Sequence, residues 1–100
     1  MIDLIGIISF DWDTGNERKS ADKHDVSPAQ AEQVFFNHPL LLLEDAKHSG
    51  AELRFHALGK ADDGRRLHIA FTLRRAGSLI RVISVRDMSA KERIIYEKSP

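Results

Sequence analysis

Between positions 67 and 74 the chain alternates in character. Leu67, Ile69, Phe71 and Leu73 are apolar, and His68, Ala70, Thr72 and Arg74 stand between them. Successive side chains on a strand point to opposite faces. A period of two therefore predicts a strand with one face in a core and the other carrying a His, a Thr and an Arg. Ala76-Gly77-Ser78 turns the chain, and residues 79–86 read as the next strand. Residues 54–59 read as the strand before, and Asp62-Asp63-Gly64 as the hairpin turn between. Residues 4–10 read as a first strand. Residues 40–43 are a short apolar run ahead of Glu44-Asp45, followed by a loop over 46–50.

Helix signals fill the gaps. Residues 14–24 are polar with good helix formers, although Gly15 and Ser20 weaken the pattern. Ser27-Pro28-Ala29-Gln30 is a helix start: Ser27 caps, Pro28 suits the first turn, and Gln30 completes a capping box. Ala31, Val34 and Phe35 follow at helical spacing and should face the core, and Asn37-His38-Pro39 ends the helix. Ser89-Ala90-Lys91-Glu92 is a second capping box, opening a helix that runs to about Glu97. The order β-α-α-β-β-β-β-α, with short turns between the later strands, predicts an α+β fold. It is a single domain over 1–100, a mostly antiparallel sheet with the helices mainly on one side.

Composition narrows this further. The 100 residues contain no cysteine, which removes disulfides and thiolate metal sites. The 15 basic and 15 acidic residues cancel, whereas many nucleic-acid-binding domains carry a basic excess. The distribution is uneven. From Arg54 to Arg93 there are ten Lys and Arg against four acids, a local excess of six. A basic face for an anionic partner and an ordinary solvated face both fit that run. The opening MIDLIGIISF carries Asp3 and no basic flank, and it falls short of the ~20 apolar residues of a membrane span. A cytoplasmic protein is expected. The five histidines show no metal-ligand spacing, so no metal or cofactor is expected.

Several segments, in order, resemble the BrnT family of toxin ribonucleases. They are Phe10-Asp11-Trp12-Asp13, Lys23-His24-Asp25-Val26-Ser27, Glu52-Leu53-Arg54-Phe55 with Leu58-Gly59, Phe71-Thr72 with Arg74, the run from Ile80 to Arg86, and Glu92-Arg93 with Tyr96. No single piece is specific; the ordered set is. The resemblance implies a RelE-like fold, metal-independent endoribonuclease activity on cellular RNA, and a BrnA-type antitoxin. That partner would carry the DNA-binding portion through which the complex represses its own operon. Four positions depart from the pattern: Ser20 and Asn16 sit where Asn and Lys are common, and two others bear on the backbone and core. Asp25 stands where the family has Gly, at a helix end where a positive φ is expected, and Pro28 replaces an aromatic. About six residues precede the segment where the family usually begins, which would suit a later translation start.

RNA cleavage without a metal uses the 2′-OH as nucleophile. It needs a base for that proton, cations for the phosphorane and an acid for the 5′-oxygen. Arginine suits the phosphate through its planar fork. Arg74 and Arg81, on strands joined by one hairpin, are the candidate catalytic cations, and Arg54 and Arg86 are candidate RNA contacts. An ion pair with a carboxylate or a place coating the sheet fits each Arg equally well, and the register that sets their relative faces is not visible in the sequence. His24 is the candidate acid or base, against the alternative of a helix-end His bonding terminal carbonyls. Tyr96 is placed among the RNA contacts as a stacking ring, with core packing beside Ile94 and Ile95 as its alternative. Trp12 reads more readily as core than as a stacking platform. His56 and His68 read more readily as ordinary surface residues, and His48 shares a loop with Asp45. A catalytically inactive BrnT-like module, binding its antitoxin and acting in transcriptional autoregulation, is the competing function.

Overall fold

The computed structural model describes residues 9–98. The alternation over 67–74 is a strand, as predicted. It is β4 (Arg66–Arg74), the middle of a five-stranded sheet with β1 (Ser9–Phe10), β2 (Leu41–Glu44), β3 (Arg54–Lys60) and β5 (Leu79–Asp87) in the order β1-β5-β4-β3-β2. The pairs from β2 to β5 are antiparallel, and β1 joins β5 in parallel. Of the first strand expected over 4–10, Ser9–Phe10 forms it; positions 4–8 lie outside the described residues. The helices are α1 (Thr14–His24), α2 (Pro28–Val34) and α3 (Ala90–Glu97), with a 3-10 turn at Ala46–His48.

One sheet face is the core. Leu67, Ile69 and Phe71 of β4 are sealed from solvent and pack with Phe55 and Ala57 of β3, and Ile80, Val82 and Val85 of β5. Val26, Ala31 and Val34 close this layer from the α2 side. Both predicted capping boxes form: Ser27 Oγ accepts from the Gln30 N–H, and Ser89 Oγ from the Glu92 N–H. Gly59 lets α2 come down onto the sheet, because a Cβ there would lie 2.7 Å from Val34 Cγ1. Asn16, buried in α1, donates from Nδ2 to the carbonyls of Asp11 (3.0 Å) and Val82 (2.9 Å), tying α1 to β5. Between α1 and α2, Asp25 adopts φ +53°, the left-handed conformation expected where the family carries Gly.

The helices are less one-sided than the element order suggests. α1 and α2 cover the core face, whereas α3 packs on the opposite face. There Tyr96 meets Met88 and Leu58, and Leu58 points away from the neighbouring Ala57 of the core. The Tyr96 hydroxyl donates to the Pro39 carbonyl at 2.7 Å and pins α3 across the sheet. The β4–β5 register slips by one residue beside Ala70 and Phe71, so Ile83 is an extra residue in β5. This bulge lets Ile80 and Val82 on one side of it, and Val85 on the other, all reach the same core.

Candidate active site

The rest of the second sheet face, where α3 does not reach, is polar. In register across three strands, Arg54 lies opposite Thr72, and Thr72 opposite Arg81. Arg74 is opposite Leu79, which puts it diagonally beside Arg81 on the same face. The register thus answers what the sequence left open: Arg54, Arg74 and Arg81 share one face. With the loop before β3, Arg54 and Arg74 border a cleft of about 320 Å³ lined by Gly50, Glu52, Arg54, Thr72, Arg74 and Ile83; Arg81 stands outside that lining, opposite Thr72. Thr72 is buried, and its hydroxyl donates to the Leu53 carbonyl at 2.7 Å, fixing the cleft floor to that loop.

The guanidinium groups differ in their partners. Arg74 Nε lies 2.7 Å from Glu52 Oε2 and its NH2 3.0 Å from Oε1, a two-pronged pair with both side chains well exposed. Arg81 lies 2.8 Å from Asp13 and 3.5 Å from Asp11. Asp13 also accepts the Asn16 backbone N–H; this bond, followed by the Arg81 contact, holds its carboxyl below the usual range. Among the described residues, the Arg54 guanidinium has no hydrogen-bond or ion-pair partner.

Arg86 shares this face at its far end, opposite His68. It binds Glu92 of α3 through both prongs, at 2.7 and 2.9 Å. That pair, together with the Ser89 backbone N–H, pulls the Glu92 carboxyl down to about 2. Next to it His68 is buried. Loss of solvation, then the nearby Arg86 charge, lowers its pKa, so it is neutral at pH 7. Its Nδ1 is buried without a hydrogen-bond partner. The ring stands 4.6 Å from that of His56, edge to face. His56 Nε2 lies 2.8 Å from Asp45 Oδ2, and its side chain is 34% exposed.

Two of the sequence candidates lie elsewhere. His24 ends α1, and the carbonyls of His24 and Asp25 accept from Arg65, which also binds Asp87. Asp87 closes β5 six residues beyond Arg81, about 20 Å along an extended strand. The fold thus separates His24 from the Arg74 and Arg81 pair. Tyr96 is 4% exposed with its hydroxyl engaged, so its ring is packed inward rather than presented to a base. Trp12 is partly buried against the core, its indole N–H donating to Glu32. His56 with Asp45 and His68 is the grouping that sequence reasoning passed over. Its signal was present, two histidines on polar faces of neighbouring strands, and it lacked the register that makes them neighbours. Among the described residues, no group of three or more His, Asp or Glu is placed to hold a metal ion, and no helix is long and apolar enough to cross a membrane.

A family model described as the ribonuclease toxin, BrnT, of type II toxin-antitoxin systems matches residues 12–92. No curated protein matches the chain. The family match runs from Trp12, beside the Arg81 partners Asp11 and Asp13, through the whole cleft to Glu92. With that span, the chain belongs to the BrnT family of ribonuclease toxins of type II toxin-antitoxin systems.

Proposed function

We propose that the protein is a metal-independent endoribonuclease that cuts cellular RNA across its open sheet face and is neutralised by a BrnA-type antitoxin. The observation that carries this reading is the set of three arginines on one sheet face, Arg54 and Arg74 lining one cleft and Arg81 opposite its Thr72 floor. Arg54 is available for a phosphate, and Arg74 and Arg81 gain most when charge builds on the phosphorane. Their carboxylate partners are a small obstacle. Glu52 and Asp13 are about half exposed, and exposed ion pairs contribute little. A phosphate bound by several guanidiniums outweighs that. Arg86, at the far end of the same face, serves as an outer RNA contact. Operator DNA is met only through the antitoxin, whose DNA-binding portion lets the complex repress its own operon, and the site of action is the cytoplasm.

One observation favours a second reading. Arg74, Arg81 and Arg86 each already bind a carboxylate, as they would in an inactive module that keeps only antitoxin binding and autoregulation. Induced expression with and without the neighbouring antitoxin gene, alongside RNA cleavage in EDTA, separates the two. Growth arrest relieved by the antitoxin and cleavage in EDTA support the nuclease. A purified protein that binds the antitoxin yet cuts no RNA, with or without ribosomes, supports the inactive module.

A further inference from the structure

We propose that His56, two residues along β3 from the cleft-lining Arg54, is the general base for a phosphate held there and that Asp45 is its positioning residue; the inference rests on the nuclease reading above. A carboxylate can only accept, so the 2.8 Å contact with Asp45 Oδ2 places the ring proton on His56 Nε2. The lone pair is then left on Nδ1. This is the arrangement by which a carboxylate fixes the tautomer and supports the imidazolium that forms. His56 sits on the same face as Arg54, two residues along β3, about 7 Å away. A phosphate bound by the long Arg54 side chain therefore lies within reach of the ring. His68 of β4 touches the His56 ring edge to face, and behind His68 stand Glu92 of α3 and Arg86 of β5, bound to each other. His68 is buried, so it forms a neutral wall and does not repel a proton arriving on His56.

The step balances as follows. His56 Nδ1 takes the proton of the ribose 2′-OH as the 2′-oxygen bonds to phosphorus. The bond from phosphorus to the 5′-oxygen breaks, and that oxygen takes a proton from water in the open cleft. The hydroxide so formed removes the proton from the imidazolium. The products are a 2′,3′-cyclic phosphate and a 5′-hydroxyl end, with no net oxidation or reduction.

The experiment measures cleavage of a 5′-labelled, mixed-sequence oligoribonucleotide in EDTA, free and with ribosomes, as a function of pH. The enzymes are wild type, His56→Gln and Asp45→Asn, with circular dichroism as the folding control. His56→Gln should cut about 10²–10⁴-fold more slowly and lose the acid-side fall in kcat/KM. Asp45→Asn should lower kcat more than it changes KM. A fourth enzyme, Asp45→Glu, keeps the carboxylate and should recover part of the kcat lost in Asp45→Asn; a merely structural role would not separate the two. If His56→Gln does not fold, the comparison of Asp45→Asn with Asp45→Glu decides. An unchanged rate in folded His56→Gln, or equal kcat in Asp45→Asn and Asp45→Glu, overturns the assignment while the nuclease reading stands. A wild-type protein inert toward RNA overturns both.

Discussion

Arg81 is held between Asp13 at 2.8 Å and Asp11 at 3.5 Å, and Arg74 by Glu52 at 2.7 Å. Each arginine sits on the sheet with its stem along neighbouring side chains and its charge at the surface, so shortening it should leave the fold intact. Arg74→Ala and Arg81→Ala should each slow RNA cleavage about 10²–10³-fold, the loss seen when one donor to a developing oxyanion is removed. Antitoxin binding, read by co-elution, should persist. A second residue-scale prediction concerns Asp25, whose φ of +53° is one that glycine adopts at lower cost. Asp25→Gly should raise stability by about 0.5 kcal/mol in denaturant titration, and a fall in stability would show that the Asp25 side chain compensates for the strain.

At the scale of elements, the anchoring of α3 should respond to acid in two windows. Glu92 titrates at about 2 when folded, against 4.5 ordinarily. Its contribution is therefore present above about 4.5 and is lost as pH falls toward 2. His68 is also lowered by burial, so the unfolded chain takes up its proton first, and stability falls as pH drops below 6.5. Melting temperature followed from pH 7 to pH 3 should decline across both windows. His68→Gln should remove the upper part of the decline, and Glu92→Gln should shrink the lower part, to which Asp13 and Asp87, also held below the usual range, contribute as well. A His68→Gln profile that superimposes on wild type would contradict the buried, neutral state of this ring. The elements themselves were readable because their signals are local: the period-two run in β4 and the Ser-x-x-Gln and Ser-x-x-Glu boxes each lie within a few residues. Two features were not. The bulge at Ile83 appears as an ordinary apolar position in a strand of branched residues. The side taken by α3 depends on Tyr96 reaching Pro39, 57 positions away.

The whole molecule assembles a site from contacts that no local pattern encodes. Arg74 and Arg81 were readable as candidates, and pairing of β4 with β5 puts them on one face. Their carboxylates come from Glu52 and Asp13, 22 and 68 positions distant. His24 read as a partner for these arginines because it belongs to the family-like Lys23-to-Ser27 segment. The fold instead sets it at the far end of β5, where the chain around it is tied down by Arg65. His56 was discounted because a lone polar-face histidine is common, and its contact with Asp45 depends on how β2 pairs with β3. Close packing of α2 on the sheet gives a further prediction. Gly59→Ala would press a methyl group to 2.7 Å from Val34 and should cost about 1–3 kcal/mol in thermal unfolding. An unchanged melting temperature would mean that α2 yields at that contact.

The most direct test of the account is the fate of a 5′-labelled RNA incubated in EDTA with wild type and with folded Arg74→Ala and Arg81→Ala. The open-face site predicts cleavage by wild type that leaves a 2′,3′-cyclic phosphate, reduced about 10²–10³-fold in each variant. Cleavage at the wild-type rate by both variants would contradict it.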